Sequence, residues 1–170
     1  VEDTANRGGG TVWPLDRLDA VSAAARSGGA ATHLDGARFF NAVVASGIPA
    51  ARRARGYDTV SVCLSKGLGA PIGSLLAGPK DLLHVARRMR KALGGGMRQV
   101  GILAAAGLYA MEHHVDRLAD DHARAERLAA GLRAAGYGAA RPETNMVYVT
   151  VPDGDTWVAA LGERGIRALT

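Results

Sequence analysis

A single cysteine, Cys63, leaves nothing to pair with, so a disulfide framework within the chain is excluded. Set inside an apolar run, it reads as a small buried hydrophobe. No apolar run approaches the roughly 20 residues that span a bilayer, and the start carries no signal-peptide pattern. A cytoplasmic protein with no membrane segment is therefore the expectation. Charge of neither sign is concentrated: 21 Lys and Arg stand against 16 Asp and Glu, a net +5 without a polybasic tail. That balance keeps an anionic ligand in view. It does not carry nucleic acid binding, because the basic stretch over residues 80–91 lacks interleaved aromatics and any known reading motif. Internal repeats and low-complexity segments are also missing.

What is present is a globular composition, 48% hydrophobic and 22% charged, with enough apolar material for a core. The 170 residues would suit one domain. A start on Val1 and an apolar end at Ala168-Leu169-Thr170 suggest instead a piece of a longer protein.

Residues 59–78, TVSVCLSKGLGAPIGSLLAG, organise the rest. The apolar run 60–64 is short, partly β-branched and bounded by turn residues, which predicts a buried strand. It ends at Ser65-Lys66 and breaks into Gly67-Leu68-Gly69-Ala70-Pro71 before a second apolar run, 72–77. Lys66 is thereby placed at a strand's carboxyl end, where open α/β sheets bind ligands. An amine walled by apolar residues loses its proton readily and attacks carbonyls. The alternative is an ordinary surface lysine.

Upstream, Asn6-Arg7-Gly8-Gly9-Gly10 predicts a loop, without the spacing of a dinucleotide fingerprint. Residues 14–26 predict a helix with Leu15, Leu18, Val21 and Ala25 on one face, stopped by Gly28-Gly29. A second strand over 30–34 delivers His33 and ends at Asp35; a helix-like stretch follows over 39–46. Two strands separated by helical material form a β-α-β unit with parallel strands, so Asp35 and Lys66 are expected at one crevice. Arg52, Arg53 and Arg55 read as a solvated basic surface.

Downstream, residues 79–93 predict a helix with Leu82, Leu83, Val85, Ala86 and Met89 inward, ended by Gly94-Gly95-Gly96. One long helix is expected from 97 to about 135, with Leu118, Leu128 and Leu132 as its apolar stripe and Gly101 and Gly107 weakening it unless something packs close. A third strand candidate covers 145–151, and a last helix 155–164. His113, His114 and His122 read as a solvated helix face, since adjacent helical side chains diverge by about 100°. His33 is either a satisfied core histidine or a functional one. Asp120-Asp121 is an exposed pair without a motif.

Four blocks, HLDGARFFNAV (33–43), SVCLSKGLGAPIGSLLAG (61–78), RKALGGGMRQVGILAAAG (90–107) and TNMVYV (144–149), resemble the low-specificity threonine aldolases of the β-eliminating-lyase group. The blocks keep that family's order and spacing over nearly the whole chain. The resemblance implies an α/β fold: part of the fold-type-I large domain, mainly parallel sheet with flanking helices, over 1–96. A connecting long helix over 97–135 and the start of a small α+β C-terminal domain over 136–170 would follow. It implies pyridoxal 5'-phosphate as cofactor, held covalently by Lys66, with Asp35 pairing the pyridine nitrogen and Arg38 beside the ring. Lys91 and Arg98 match basic residues near the active site, Arg98 being the phosphate contact of choice, and Ser65 is a further cofactor-site candidate. No metal is implied.

The implied reaction is retro-aldol cleavage of a β-hydroxy-α-amino acid such as threonine, giving glycine and an aldehyde. Implied partners are the amino-acid substrate and further copies of the chain, as a homodimer or homotetramer with active sites at subunit interfaces. Neighbouring readings are a transaldolase, a β-eliminating lyase, or an inactive relative kept as a binding partner. Segments expected on both sides, including a cofactor-phosphate loop and an arginine for the substrate carboxylate, are not in the sequence, so the chain alone is expected to be inactive. One departure is internal: the family reads E-N-T-H-N where Glu2-Asp3-Thr4-Ala5-Asn6 stands. Ala5 transfers no proton, so either that histidine is dispensable here or the preferred substrate differs.

Overall fold

The computed structural model describes residues 1–170. Helix α1 (Leu15–Ser27) follows Pro14, whose ring fixes φ near the helical value at the entry, and buries Leu18 and Ser22. Strand β1 (His33–Gly36) leads into α2 (Phe39–Ser46) and the single turn α3 (Ala50–Ala54); β2 (Thr59–Cys63) follows. Strand β3 (Ser74–Ala77) then precedes α4 (Lys80–Ala92), α5 (Gly101–His113) and α6 (Leu118–Ala134). A two-residue pair, β4 (Gly138–Ala139) and β5 (Val149–Thr150), and α7 (Gly154–Glu163) complete the order.

The expected β-α-β unit is present. β1 and β2 pair in parallel, with Asp35 opposite Ser61, while β3 returns antiparallel along β2. Residues 1–3 run parallel along the other side of β1: Asp35 N–H donates to the Val1 carbonyl at 2.7 Å, and Asp3 N–H to the Asp35 carbonyl at 2.9 Å. The strand alternation turns Leu34, Gly36 and Val60 inward and leaves His33 and Asp35 exposed. Leu34 and Val60 form a core with Leu18, Phe39 and Tyr57. At Gly36 a Cβ would lie 2.5 Å from the Ser61 carbonyl oxygen and 2.7 Å from Phe39 Cβ. Only glycine lets strand and helix meet there. A second core joins Leu64, Leu68 and Ala70 to Ala110 and Leu118.

Five expectations need correction. Of the arginines expected as a solvated surface only Arg55 is exposed, and Arg53 is 1% exposed. It donates from Nε to Asp3 Oδ2 at 3.0 Å, from NH2 to the same carboxylate and to the Trp13 carbonyl, and from NH1 to Ser46 Oγ at 3.3 Å. Arg52 makes a bidentate pair with Asp19. The helix expected over 97–135 is two helices. His114 Nδ1 hydrogen-bonds the Leu68 carbonyl at 2.7 Å, and three i→i+3 bonds, beginning with Leu118 N–H to the Val115 carbonyl, restart the coil as α6. Both helices thus present a side chain to the second core. Gly107 does pack close, its missing Cβ 3.0 Å from Leu64 Cδ1, whereas Gly101 faces open space.

On α6 the buried stripe is Leu118, Ala125 and Ala129, and Leu128 is exposed. α4 keeps its expected place but buries nothing, and β3 before it is an edge strand with every residue exposed. The third strand shrinks to β5, two residues, since β4 offers only two partners. No helix is long and apolar enough to cross a membrane.

Candidate active site

β1 and β2 run in the same direction, so their carboxyl ends share one edge of the sheet. At the end of β1, Asp35 stands on the exposed face. Its Oδ1 accepts the Ala37 N–H at 3.0 Å, a local turn that holds the carboxylate and leaves Oδ2 unpartnered. Arg38 follows as the residue capping α2, half-buried, and its NH1 donates to Asn6 Oδ1 at 2.7 Å. The remaining guanidinium N–H groups make no protein hydrogen bond.

The end of β2 is shaped by its loop. Leu64, Leu68 and Ala70 turn into the second core, while Ser65 and Lys66 stay exposed. Ala70 N–H closes the loop on the Leu64 carbonyl at 3.0 Å, and Gly69 N–H on the Lys66 carbonyl at 2.9 Å. Its glycines have separate causes. Gly69 sits at φ 72°, and a Cβ on Gly67 would lie 2.9 Å from Leu118 Cδ2. Folding the apolar residues inward pushes Lys66 out at the edge, where its ammonium has no hydrogen-bond or ion-pair partner.

Cys63, expected to be buried, is half-buried on the same side, its Sγ 3.4 Å from Ser65 Oγ. Burial alone would push its thiol up. Hydrogen bonds with Ser65 and Ser74 and the Lys66 charge outweigh that and hold it below the ordinary value.

Between the two strand ends lies a crevice of only about 10 Å³, lined by Arg38, Phe39, Asn41, Cys63, Gly67 and Leu68 among others. Ligand cavities run to about 300 Å³ or more, so this is a packing gap. The exposed face beside it, carrying Asp35 and Lys66, is where a group can sit. A free carboxylate oxygen, a free amine and a guanidinium with spare donors fit a cofactor with a basic ring nitrogen and an aldehyde.

The other sequence-predicted residues are not bonded to these three. Lys91 is in the last turn of α4 with its stem under Gly96, Cδ 2.5 Å from where a Gly96 Cβ would be, and Arg98 follows in the loop to α5. Both are exposed, and neither shares a hydrogen bond or ion pair with Asp35, Arg38 or Lys66. His33 is exposed at the start of β1 with Nδ1 2.7 Å from Thr59 Oγ1, so it is neither in the core nor at the edge. His114 and His122 are half-buried and partnered instead of solvated; His122 Nε2 lies 3.1 Å from Asn41 Nδ2. Burial lowers the His122 pKa, against the Asp121 charge. No three His, Cys, Asp or Glu side chains converge on a metal-sized gap.

Asn6 is the residue at this edge that sequence reasoning gave no role. Its signal was the pattern around Ala5, where it fills the last place of the E-N-T-H-N block.

The beta-eliminating lyase family model matches residues 1–153. The chain belongs to the beta-eliminating lyase family. It is 48% identical over 163 residues to the low specificity L-threonine aldolase of Escherichia coli K12, covering 96% of this chain and 47% of that protein. Over 156 residues it is 46% identical to the probable low-specificity L-threonine aldolase 2 of Arabidopsis thaliana, covering 90% of this chain and 44% of the relative. The threonine aldolase structure from Leishmania major superposes with a TM-score of 0.80 at 26% identity, over 96% of this chain and 48% of that one. The fold is that of the fold-type-I pyridoxal-phosphate enzymes. The chain spans about half the length of the curated relatives it matches.

Proposed function

We propose that the whole protein is a pyridoxal-phosphate-dependent lyase that cleaves a β-hydroxy-α-amino acid such as threonine to glycine and an aldehyde. The observation that carries this is the pairing of Asp35 and Lys66 at the carboxyl ends of adjacent parallel strands, in a chain similar throughout to threonine aldolases. When bound, the cofactor supplies an electron sink for the pair left at Cα as the Cα–Cβ bond breaks.

The chain's own residues supply the rest. Lys66, unpaired and exposed, is the amine to hold the cofactor covalently. Asp35, anchored through one oxygen, holds a proton at the ring nitrogen with the other. Arg38 lays a permanent cation beside the ring. Ser65 offers a hydroxyl beside Lys66. Arg98, and after it Lys91, are the cations for the phosphate; the guanidinium fork suits that anion better than an ammonium does. They lie outside the hydrogen-bonded edge of their own chain, which suits a site completed between copies in a homodimer or homotetramer. Residue 5 is alanine and carries no base, so the β-hydroxyl proton goes to a group elsewhere. We place the protein in the cytoplasm, consistent with the lack of a spanning helix.

The test is the visible spectrum of the whole protein with pyridoxal phosphate, before and after borohydride, alongside a Lys66→Ala variant. A covalent-cofactor band that borohydride traps on Lys66, and that the variant lacks, is the expected result. Well-folded protein without that band overturns the reading.

A further inference from the structure

The loop over residues 6–10 is held from outside. The Tyr148 hydroxyl donates to the Asn6 carbonyl at 3.0 Å, and its ring lies 3.6 Å from where a Gly9 Cβ would be. Thr144 Oγ1 donates to the Gly10 carbonyl at 2.6 Å, and Val12 N–H to Glu143 Oε2 at 2.9 Å. Gly9 and Gly10 lie at φ 80° and 74°, so the loop has a shape that the segment over 143–148 clamps and other residues resist. From this clamped loop Asn6 presents its Oδ1 to Arg38, the one hydrogen bond that guanidinium makes.

We propose that Asn6 is a positioning residue for Arg38, and that Tyr148 sets Asn6, so that the segment before β5 fixes the orientation of the cation beside the cofactor. The inference rests on the function proposed above. An arginine side chain has several free rotors and its charge is useful only where it points. With Asn6 Oδ1 removed, no protein group holds the Arg38 guanidinium. Asn6 itself is exposed and belongs to neither core, so its loss leaves the fold standing.

The test uses the whole protein loaded with pyridoxal phosphate and three variants: Asn6→Leu, which keeps bulk and deletes the acceptor; Asn6→Asp, which keeps an acceptor; and Tyr148→Phe, which deletes one hydroxyl. The readouts are kcat and KM for threonine, the pH midpoint of the bound-cofactor band, and the melting temperature. Asn6→Leu is expected to lower kcat by about tenfold, the worth of one hydrogen bond to a charged group, and to move the pH midpoint. KM and melting temperature stay near wild type, Asn6→Asp restores kcat and midpoint, and Tyr148→Phe moves both in the Leu direction by less. A melting temperature that falls while kcat and midpoint hold overturns the proposal, since Asn6 would then be structural only. Wild-type protein with no bound-cofactor band overturns the proposed function, and this inference with it.

Discussion

α2 and α4 each follow a strand of the three-stranded sheet and each carries apolar residues along its length, but only α2 covers the sheet. On α2, Phe39 and Ala42 are buried, and Phe39 joins the core with Leu34 of β1 and Val60 of β2. On α4, Leu82, Val85 and Met89 remain about half exposed, and no residue from 71 to 106 is buried. Both cores draw their strand and loop residues from 1–70, and the second is closed by Ala110 and Leu118. The residues of the proposed site divide in the same way: Asp35, Arg38 and Lys66 sit on the packed region, while Lys91 and Arg98 sit on the open one. An amphipathic stripe says that a helix face requires cover. It does not say which surface supplies it.

The largest expected effect falls where the packed region has its buried ion pair. Asp3 and Arg53 are both fully inaccessible, and Arg53 also ties the Trp13 carbonyl and Ser46 into one node. Arg53→Met strands the Asp3 carboxylate, and urea unfolding should show a loss of about 3–5 kcal/mol. Adding Asp3→Leu should return part of it, because an apolar pair leaves no buried charge. A loss below about 1 kcal/mol would mean that the packed region does not depend on this node.

Next comes Gly36→Ala. The added methyl meets the Ser61 carbonyl and Phe39 Cβ, and neither is the free end of a flexible side chain. Overpacking should destabilise by about 1–3 kcal/mol and move Asp35, its neighbour, so cofactor binding should weaken in parallel. An unchanged chain would show that β1 and β2 have slack where the geometry gives none.

A smaller effect is expected at Asp153, the cap of α7. Its carboxylate accepts from the Thr156 hydroxyl and from the Thr156 and Asp155 N–H groups, and these bonds, led by the hydroxyl, hold its pKa below the ordinary 3.8. A lowered folded-state pKa means stability that is present above 3.8 and lost as pH falls through the lowered value. Helicity of α7 should therefore decline in acid, and Asp153→Ala should flatten that decline. Circular dichroism against pH in the two proteins reads the difference.

How far the sequence foretold all this follows the same division. Strand ends, the glycine-broken loop after Ser65-Lys66 and the parallel pairing of the strands before Asp35 and Lys66 were legible, because they depend on local pattern and chain direction. Arg53 was not: nothing in a basic triplet marks the one member that reaches a carboxylate 50 residues away. The break between α5 and α6 was hidden for the same reason, since it depends on His114 finding the carbonyl of Leu68. At the proposed site, the common direction of the strands before Asp35 and Lys66 was legible, and Asn6 came to light only through its contact with Arg38.

The smallest expected effect tests the open region directly. Gln and Met have nearly equal helix propensity, so Met89→Gln on α4 changes burial and little else. Met89 is 53% exposed, and the residues around it on the helix face, Val85 and Leu82, are similarly open. Unfolding of this chain should shift by no more than about 0.5 kcal/mol, as at surface positions generally. The same change at a covered apolar position removes a packed side chain and costs about 2 kcal/mol or more. A cost of that size at Met89 would show the α4 face covered under the conditions of measurement, and the contrast with α2 would fail. A negligible cost would keep it, and would place the stability of the chain where its buried residues are, outside residues 71–106.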